Sequence, residues 1–123
     1  LERLFFILAS VSGFLAVALG AFAAHALKSR LESDLLDVFE VGVRYQMYHT
    51  FALFASAWAI SKWPGTWTMA SGWLFLAGIL VFSGSLYVLS LTGVRWLGAI
   101  TPLGGFFFLA GWVALVVGAL KSS

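Results

Sequence analysis

Charged residues are so sparse along this chain that the stretches between them set its architecture. Residues 4–27, 69–91 and 97–120 contain no Asp, Glu, Lys or Arg. Each is long enough to cross a hydrocarbon core about 30 Å thick, which takes roughly 20 apolar residues in a helix. A further apolar run, 51–60, is too short alone, so its helix is expected to reach back through His49, Tyr45 and Arg44 to residue 41. The predicted spans are therefore about 4–27, 41–60, 69–91 and 97–120. The uncharged run at 4–27 exceeds the roughly 7–15 residues of a signal-peptide core, so Ala24-His25-Ala26 reads as part of a retained helix and not as a cleavage site. The connections around Pro64-Gly65 and Thr92-Gly93 are short, which makes neighbouring spans antiparallel.

The connection between spans one and two carries every acidic residue except Glu2. Ser29 and Glu32 have the spacing of a capping box, in which hydroxyl and carboxylate satisfy free N–H groups at a helix start. Leu31, Leu35, Val38 and Phe39 then share one face, with Ser33, Asp37 and Glu40 on the other. The pattern predicts a short amphipathic helix over about 29–40, lying at the membrane interface. The expected fold is an all-α integral membrane protein, a single domain over 1–123, built as a four-helix up-down bundle with this interfacial helix between helices 1 and 2.

Small residues suggest how the spans pack, because helices in lipid associate through close contact and not through apolar burial. Ser12, Ala16, Gly20 and Ala24 recur every four residues, and Gly104, Gly111 and Gly118 every seven. Span three adds Gly78, Gly84 and Ser85. Trp58, Trp63, Trp67 and Trp73 cluster around the second connection as an interfacial aromatic belt would. Orientation is left open by the basic residues: Arg3, Lys62 and Lys121 lie on the terminal side, against Lys28, Arg30, Arg44 and Arg95 on the other.

Composition agrees with this reading. Of 123 residues, 62% are hydrophobic and 10% charged, with a mean hydropathy of +1.01. A soluble domain carries about 25% charged residues. So few charges exclude a soluble enzyme, a nucleic-acid binder and a disordered chain. The net charge of +2 is too slight to imply a polyanion partner, and the lack of Cys removes disulfides, thiolate metal sites and a Cys nucleophile.

The polar side chains that lie within the spans gather at the end away from the termini. His25 closes span one; Arg44, Tyr45, Gln46, Tyr48 and His49 open span two. Ser83, Ser85 and Tyr87 approach that end in span three, and Thr101, Pro102, Gly104 and Gly105 leave it in span four. Candidate ligand-binding residues are His25, Arg44, Tyr45, Gln46, His49, Tyr87 and Thr101. Structural roles fall to Glu40, Ser83, Ser85, Pro102, Gly104 and Gly105. Glu40 precedes Arg44 by four residues, the favourable order for a helical ion pair that would anchor the helix; the alternative is that Arg44 faces an anionic ligand or headgroup. Two histidines on neighbouring helices could ligate haem or metal, but hydrogen bonding inside the bundle, to Tyr87 or Thr101, is the expected role. Pro102 is expected to kink span four and free the Gly98 carbonyl. No catalytic group, cofactor or metal is assigned.

Read in order, Gly20-Ala21-Phe22-Ala23-Ala24-His25-Ala26-Leu27, Arg44-Tyr45-Gln46-Met47-Tyr48-His49, Phe82-Ser83-Gly84-Ser85-Leu86-Tyr87, the run from Leu97 to Gly105, and Gly111-Trp112 resemble one family throughout. It is the small membrane-protein family catalogued as domain of unknown function 423, the YgdD/YwdK-like proteins. The resemblance implies four transmembrane helices in the bacterial inner membrane, cytoplasmic termini, and no assigned enzymatic activity. Ala23 stands where many members are expected to have Gly, a change confined to packing. The expected role is a small binding or accessory protein whose polar cluster recognises a lipid headgroup, a small molecule or a partner helix. A structural subunit of a larger complex and a small oligomeric transporter or channel are the rivals. Membrane lipids, a membrane-protein partner or further copies of the chain are the expected partners, and nucleic acid is not.

Overall fold

The computed structural model describes residues 1–121, which form four helices and, among the described residues, no strand. Helix α1 runs Glu2–Leu27, α2 Ser33–Lys62, α3 Thr66–Thr92 and α4 Arg95–Lys121. α1, α3 and α4 are each long and apolar enough to cross a membrane. α2 has the length but not the apolarity, because Arg44, Tyr45, Gln46, Tyr48 and His49 break its apolar run beyond the acidic residues at its head. Two wide π turns interrupt the regular winding, Ala23–Leu27 closing α1 and Ile79–Ser83 in the middle of α3. α4 opens with a tight 3-10 turn, Arg95–Ala99, before its α-helical part begins at Thr101.

The region between α1 and α2 departs from expectation. The capping box does not form: Glu32 precedes the helix, and no side chain caps it. The amides of Arg30 and Leu31 both bond to the Leu27 carbonyl at 2.9 Å, which holds Ser29 in a turn too early to reach the helix start. Beyond Ser33 the helix runs unbroken to Lys62, so the amphipathic stretch and span two are one element. Its apolar face is taken up by the protein. Phe39 is fully buried with Ala23 and Leu27, flanked by Leu31, Leu36, Val43 and Tyr87.

Adjacent helices meet antiparallel, as the residue pairs show. Along α1 and α2, Ser12 meets Thr50 and Gly20 meets Val43. Along α2 and α3, Ser56 meets Ser71 and Gly42 meets Ser83. The α3–α4 seam is the tightest: Thr68 sits at Gly118, Phe75 at Gly111, Phe108 at Gly78 and Phe82 at Gly104. Large side chains of each helix enter notches left by the other's glycines, as the spacing of seven in α4 predicted. Along α1, the buried line runs Phe5, Ala9, Ser12, Ala16, Ala23, and Ala24 is exposed. A step of four residues overshoots a 3.6-residue turn by about 40°, so the strict stripe drifts off the contact face.

Phe5, Ala52, Leu53, Phe75, Ile79 and Phe108 bring all four helices into one core. In lipid the burial of such side chains gives little drive by itself, because the alternative environment is also apolar; close packing and hydrogen bonds decide association. At the terminal end, Trp58 and Trp63 meet edge to face at 5.2 Å, and Lys121 lies 5.6 Å over the Trp67 ring.

One ion pair ties the opposite end together among the described residues. The Arg95 guanidinium, at the head of α4, donates to Asp34 Oδ2 at 3.1 Å and holds that carboxyl below the usual carboxylate range. A lowered folded-state pKa means the contribution is present above the ordinary carboxylate value and is lost as pH falls through the lowered one. Both side chains are well exposed, so the pair adds little to stability. Arg95→Gln is therefore expected to return the Asp34 titration, followed by carboxyl NMR, to the ordinary range while leaving the unfolding midpoint nearly unchanged. An Asp34 titration indifferent to Arg95 would contradict this assignment.

Candidate functional site

The residues singled out by sequence separate into three settings. A buried polar line crosses from α1 through α2 to α3. Ser12 and Thr50 share a hydrogen bond of 2.8 Å, and Thr50 donates to the Gln46 carbonyl at 2.9 Å. The Gln46 amide donates to the Ser12 carbonyl at 2.9 Å and accepts from the Tyr87 hydroxyl at 2.6 Å. Ser83, brought inward by the π turn of α3, donates to the Gly42 carbonyl at 2.6 Å. Among the described residues no buried side-chain nitrogen or oxygen lacks a partner. Gln46 and Tyr87 are thus committed to each other.

The second setting centres on His49. Trp112 Nε1–H donates to His49 Nε2 at 3.1 Å, which leaves Nδ1–H to donate to the Tyr45 carbonyl at 2.8 Å. With one ring nitrogen accepting and the other donating, the neutral Nδ1–H tautomer is specified. The imidazole also stacks on Phe108, with centroids 3.5 Å apart and planes 5° from parallel. His49 therefore bonds neither Tyr87 nor Thr101 as expected; those residues pair instead with Gln46 and with Ser85, the latter at 2.6 Å. The reason is register: the Ser56–Ser71 and Gly42–Ser83 pairs set His49 level with the middle of α3 beside Phe75, nearly three turns short of Tyr87. Beside this cluster opens a lateral cleft of about 410 Å³, walled by Tyr45 and His49 of α2, Phe82 of α3, and Pro102, Gly105 and Trp112 of α4. Trp112 and Phe108 were not singled out from the sequence; the only signal was the Gly111-Trp112 pair in the family resemblance.

The third setting is the outer surface. His25 is exposed on the π turn of α1 and is not brought to His49. Arg44 is exposed on α2, and the expected Glu40–Arg44 ion pair is absent; the only ion pair among the described residues joins Arg95 to Asp34. Tyr45 is partly exposed at the cleft and meets Tyr48 edge to face at 5.4 Å. Among the described residues no three His, Asp or Glu side chains group so as to hold a metal ion. Pro102 falls in the first turn of the α-helical part of α4 and does not kink mid-span. There its missing N–H costs no helical bond. The preceding Leu97 carbonyl is met by the Ile100 amide at 3.0 Å.

Comparison with known proteins is consistent throughout. Residues 19–105 match the family model described as a protein of unknown function, DUF423. The chain is 47% identical to the UPF0382 membrane protein YwdK of Bacillus subtilis, covering 97% of this chain and 98% of that protein. It is 44% identical to the UPF0382 membrane protein SSP2132 of Staphylococcus saprophyticus, over 97% and 98%. It is 40% identical to the UPF0382 inner membrane protein YgdD of Escherichia coli, over 98% and 92%. No solved structure matches the chain.

Proposed function

The chain belongs to this DUF423 family of membrane proteins of unknown function, and from that premise we propose that it is a small membrane-embedded binding protein which recognises an anionic group through Arg44. The carrying observation is the state of Arg44. The neighbouring Val43 packs at Gly20, which puts this level about 10 Å short of the α1 end at Leu27 by helical rise. An arginine at that depth, on the outside of the helices and with no carboxylate in ion-pair range among the described residues, must snorkel or find an anion. In this reading the four helices form an up-down bundle, the head of α2 emerges among the headgroups, and the termini face the cytoplasm of an inner-membrane protein. The anion is then a lipid headgroup, an acidic small molecule or a carboxylate on a partner helix.

Thermal unfolding in neutral micelles doped with phosphatidylglycerol or phosphatidylcholine tests the role of Arg44. Phosphatidylglycerol is expected to raise the wild-type midpoint by a few degrees, a shift that Arg44→Gln loses and Arg44→Lys partly keeps. Equal shifts in wild type and Arg44→Gln would remove the proposal.

A second reading has a specific observation behind it. Ser12, Gln46, Thr50 and Tyr87 satisfy one another internally, and His49 is satisfied by Tyr45 and Trp112, as a purely structural subunit of a larger complex would need. Stoichiometric co-purification of one membrane protein, without retained lipid, would favour it.

A further inference from the structure

We propose that the lateral cleft between α2 and α4 seats an acyl chain of the same anionic phospholipid whose phosphate Arg44 holds, an inference that rests on the reading of Arg44 above and adds the class of its ligand. The cleft is almost wholly apolar and wide enough, at about 410 Å³, for a length of hydrocarbon chain. Its wall residues give it a direction. Tyr45, Phe82, Pro102 and Gly105 lie at the level of Arg44, and Trp112 lies deeper towards the terminal end. The Pro102–Trp112 stretch of α4 is about 15 Å long by helical rise. The cleft thus begins at the depth of Arg44, which stands on the outer face of α2 next to the wall residue Tyr45 without itself lining the cleft, and runs into the bilayer interior, the polarity of a lipid in the leaflet at that end.

The imidazole that walls the cleft is already spoken for. Both His49 ring nitrogens are bonded, one to Tyr45 and one to Trp112, so the cleft offers a hydrocarbon chain no unpaired imidazole. Charge complementarity supplies the choice of occupant. An apolar partner helix would leave Arg44 without an anion, and a free phosphate would leave the cleft unused; a phosphate-headed lipid of that leaflet fills both. Gly105 supplies the means of testing this. A Cβ there would lie 4.0 Å from Phe82, in ordinary contact, so a larger side chain can enter the cleft without displacing α3.

The experiment is native mass spectrometry on delipidated protein in mild detergent, offered 1-palmitoyl-2-oleoyl phosphatidylglycerol or phosphatidylcholine in equal amounts. Wild type, Gly105→Leu, Leu109→Trp and Arg44→Gln are compared, with circular dichroism and unfolding midpoints recorded on each. Wild type is expected to retain phosphatidylglycerol in preference to phosphatidylcholine. The two cleft-filling variants should bind about tenfold less of it, and Arg44→Gln should bind both lipids alike. Leu109→Trp, on the exposed rim, decides the matter if Gly105→Leu does not fold. Undiminished binding in the folded cleft variants, with the preference lost in Arg44→Gln, would overturn the cleft assignment and leave the Arg44 reading standing. Preference unchanged in Arg44→Gln would overturn both, as would a wild type that retains a protein partner and no lipid.

Discussion

Gly104→Ala is expected to destabilise the protein by about 3 kcal/mol, the upper end of the usual cost of overpacking. The added methyl would stand 2.4 Å from the Phe82 amide nitrogen and 2.7 Å from its Cα. Backbone cannot rotate aside as a side chain can, so α3 and α4 would have to separate along the seam that also seats Phe75 at Gly111 and Phe108 at Gly78. Helix propensity opposes this, since Ala is favoured over Gly by about 1 kcal/mol in a helix interior. The steric cost is the larger, and the net effect remains a marked loss. Gly105→Ala makes the control: its methyl meets only Phe82 Cδ2 at 4.0 Å, so propensity acts alone and the change should be neutral or slightly stabilising. Unfolding midpoints in detergent compare the two. Equal effects at adjacent glycines would show that the close contact at Phe82 is not what holds the seam.

Gln46→Leu should cost about 2 kcal/mol, because it strands the Tyr87 hydroxyl. That hydroxyl loses its acceptor, whereas the Ser12 carbonyl loses a second donor and keeps the amide of its own helix; a buried polar group left unpaired costs about 1–3 kcal/mol. Single hydrogen bonds between membrane helices average only about 0.6 kcal/mol in double-mutant cycles, so the stranded hydroxyl, and not the lost bonds, dominates the estimate. Tyr87→Phe removes one bond and leaves Gln46 Oε1 free, for a loss of about 1 kcal/mol. In the double variant the Tyr87 hydroxyl no longer exists to be stranded, and the total should fall short of the sum by about 0.5 kcal/mol or more. Strict additivity in the cycle would show that water or lipid already satisfies these atoms.

Much of the architecture could be read from the spacing of charges and glycines. The spans at 4–27, 69–91 and 97–120 follow from long uncharged runs, which only a membrane helix tolerates, and the structure places α1, α3 and α4 over them. Gly104, Gly111 and Gly118 were legible as a seam because every seventh residue returns to the same helix face. The site was less legible. A common end of the molecule for Gln46, His49, Tyr87 and Thr101 followed from rise per residue, but which side chain bonds which depends on the register and rotation of each helix against its neighbours. The π turn at Ile79–Ser83 resets that rotation in α3, and nothing local in Ile79-Leu80-Val81-Phe82-Ser83 announces it. The Glu40–Arg44 pairing failed for a similar reason: correct spacing brings two side chains to one face but does not oblige them to meet when each has solvent or headgroups to turn towards.

The polar line from Ser12 through Gln46 to Tyr87 also bears on how the protein is made. A helix entering lipid alone would carry the Gln46 amide into hydrocarbon with no partner, and α2 is the one helix that does not reach the apolarity for independent insertion. Its first partners are on α1, already synthesised and joined by only a short turn, whereas Tyr87 arrives after a further stretch of chain. The physical expectation is that α1 and α2 leave the insertion machinery together as a hairpin, and that the arrival of α3 completes the Gln46 hydrogen bonds. Ser12 and Thr50 then do their work before the fold is finished, as temporary shelter for a helix that the membrane would otherwise be slow to accept.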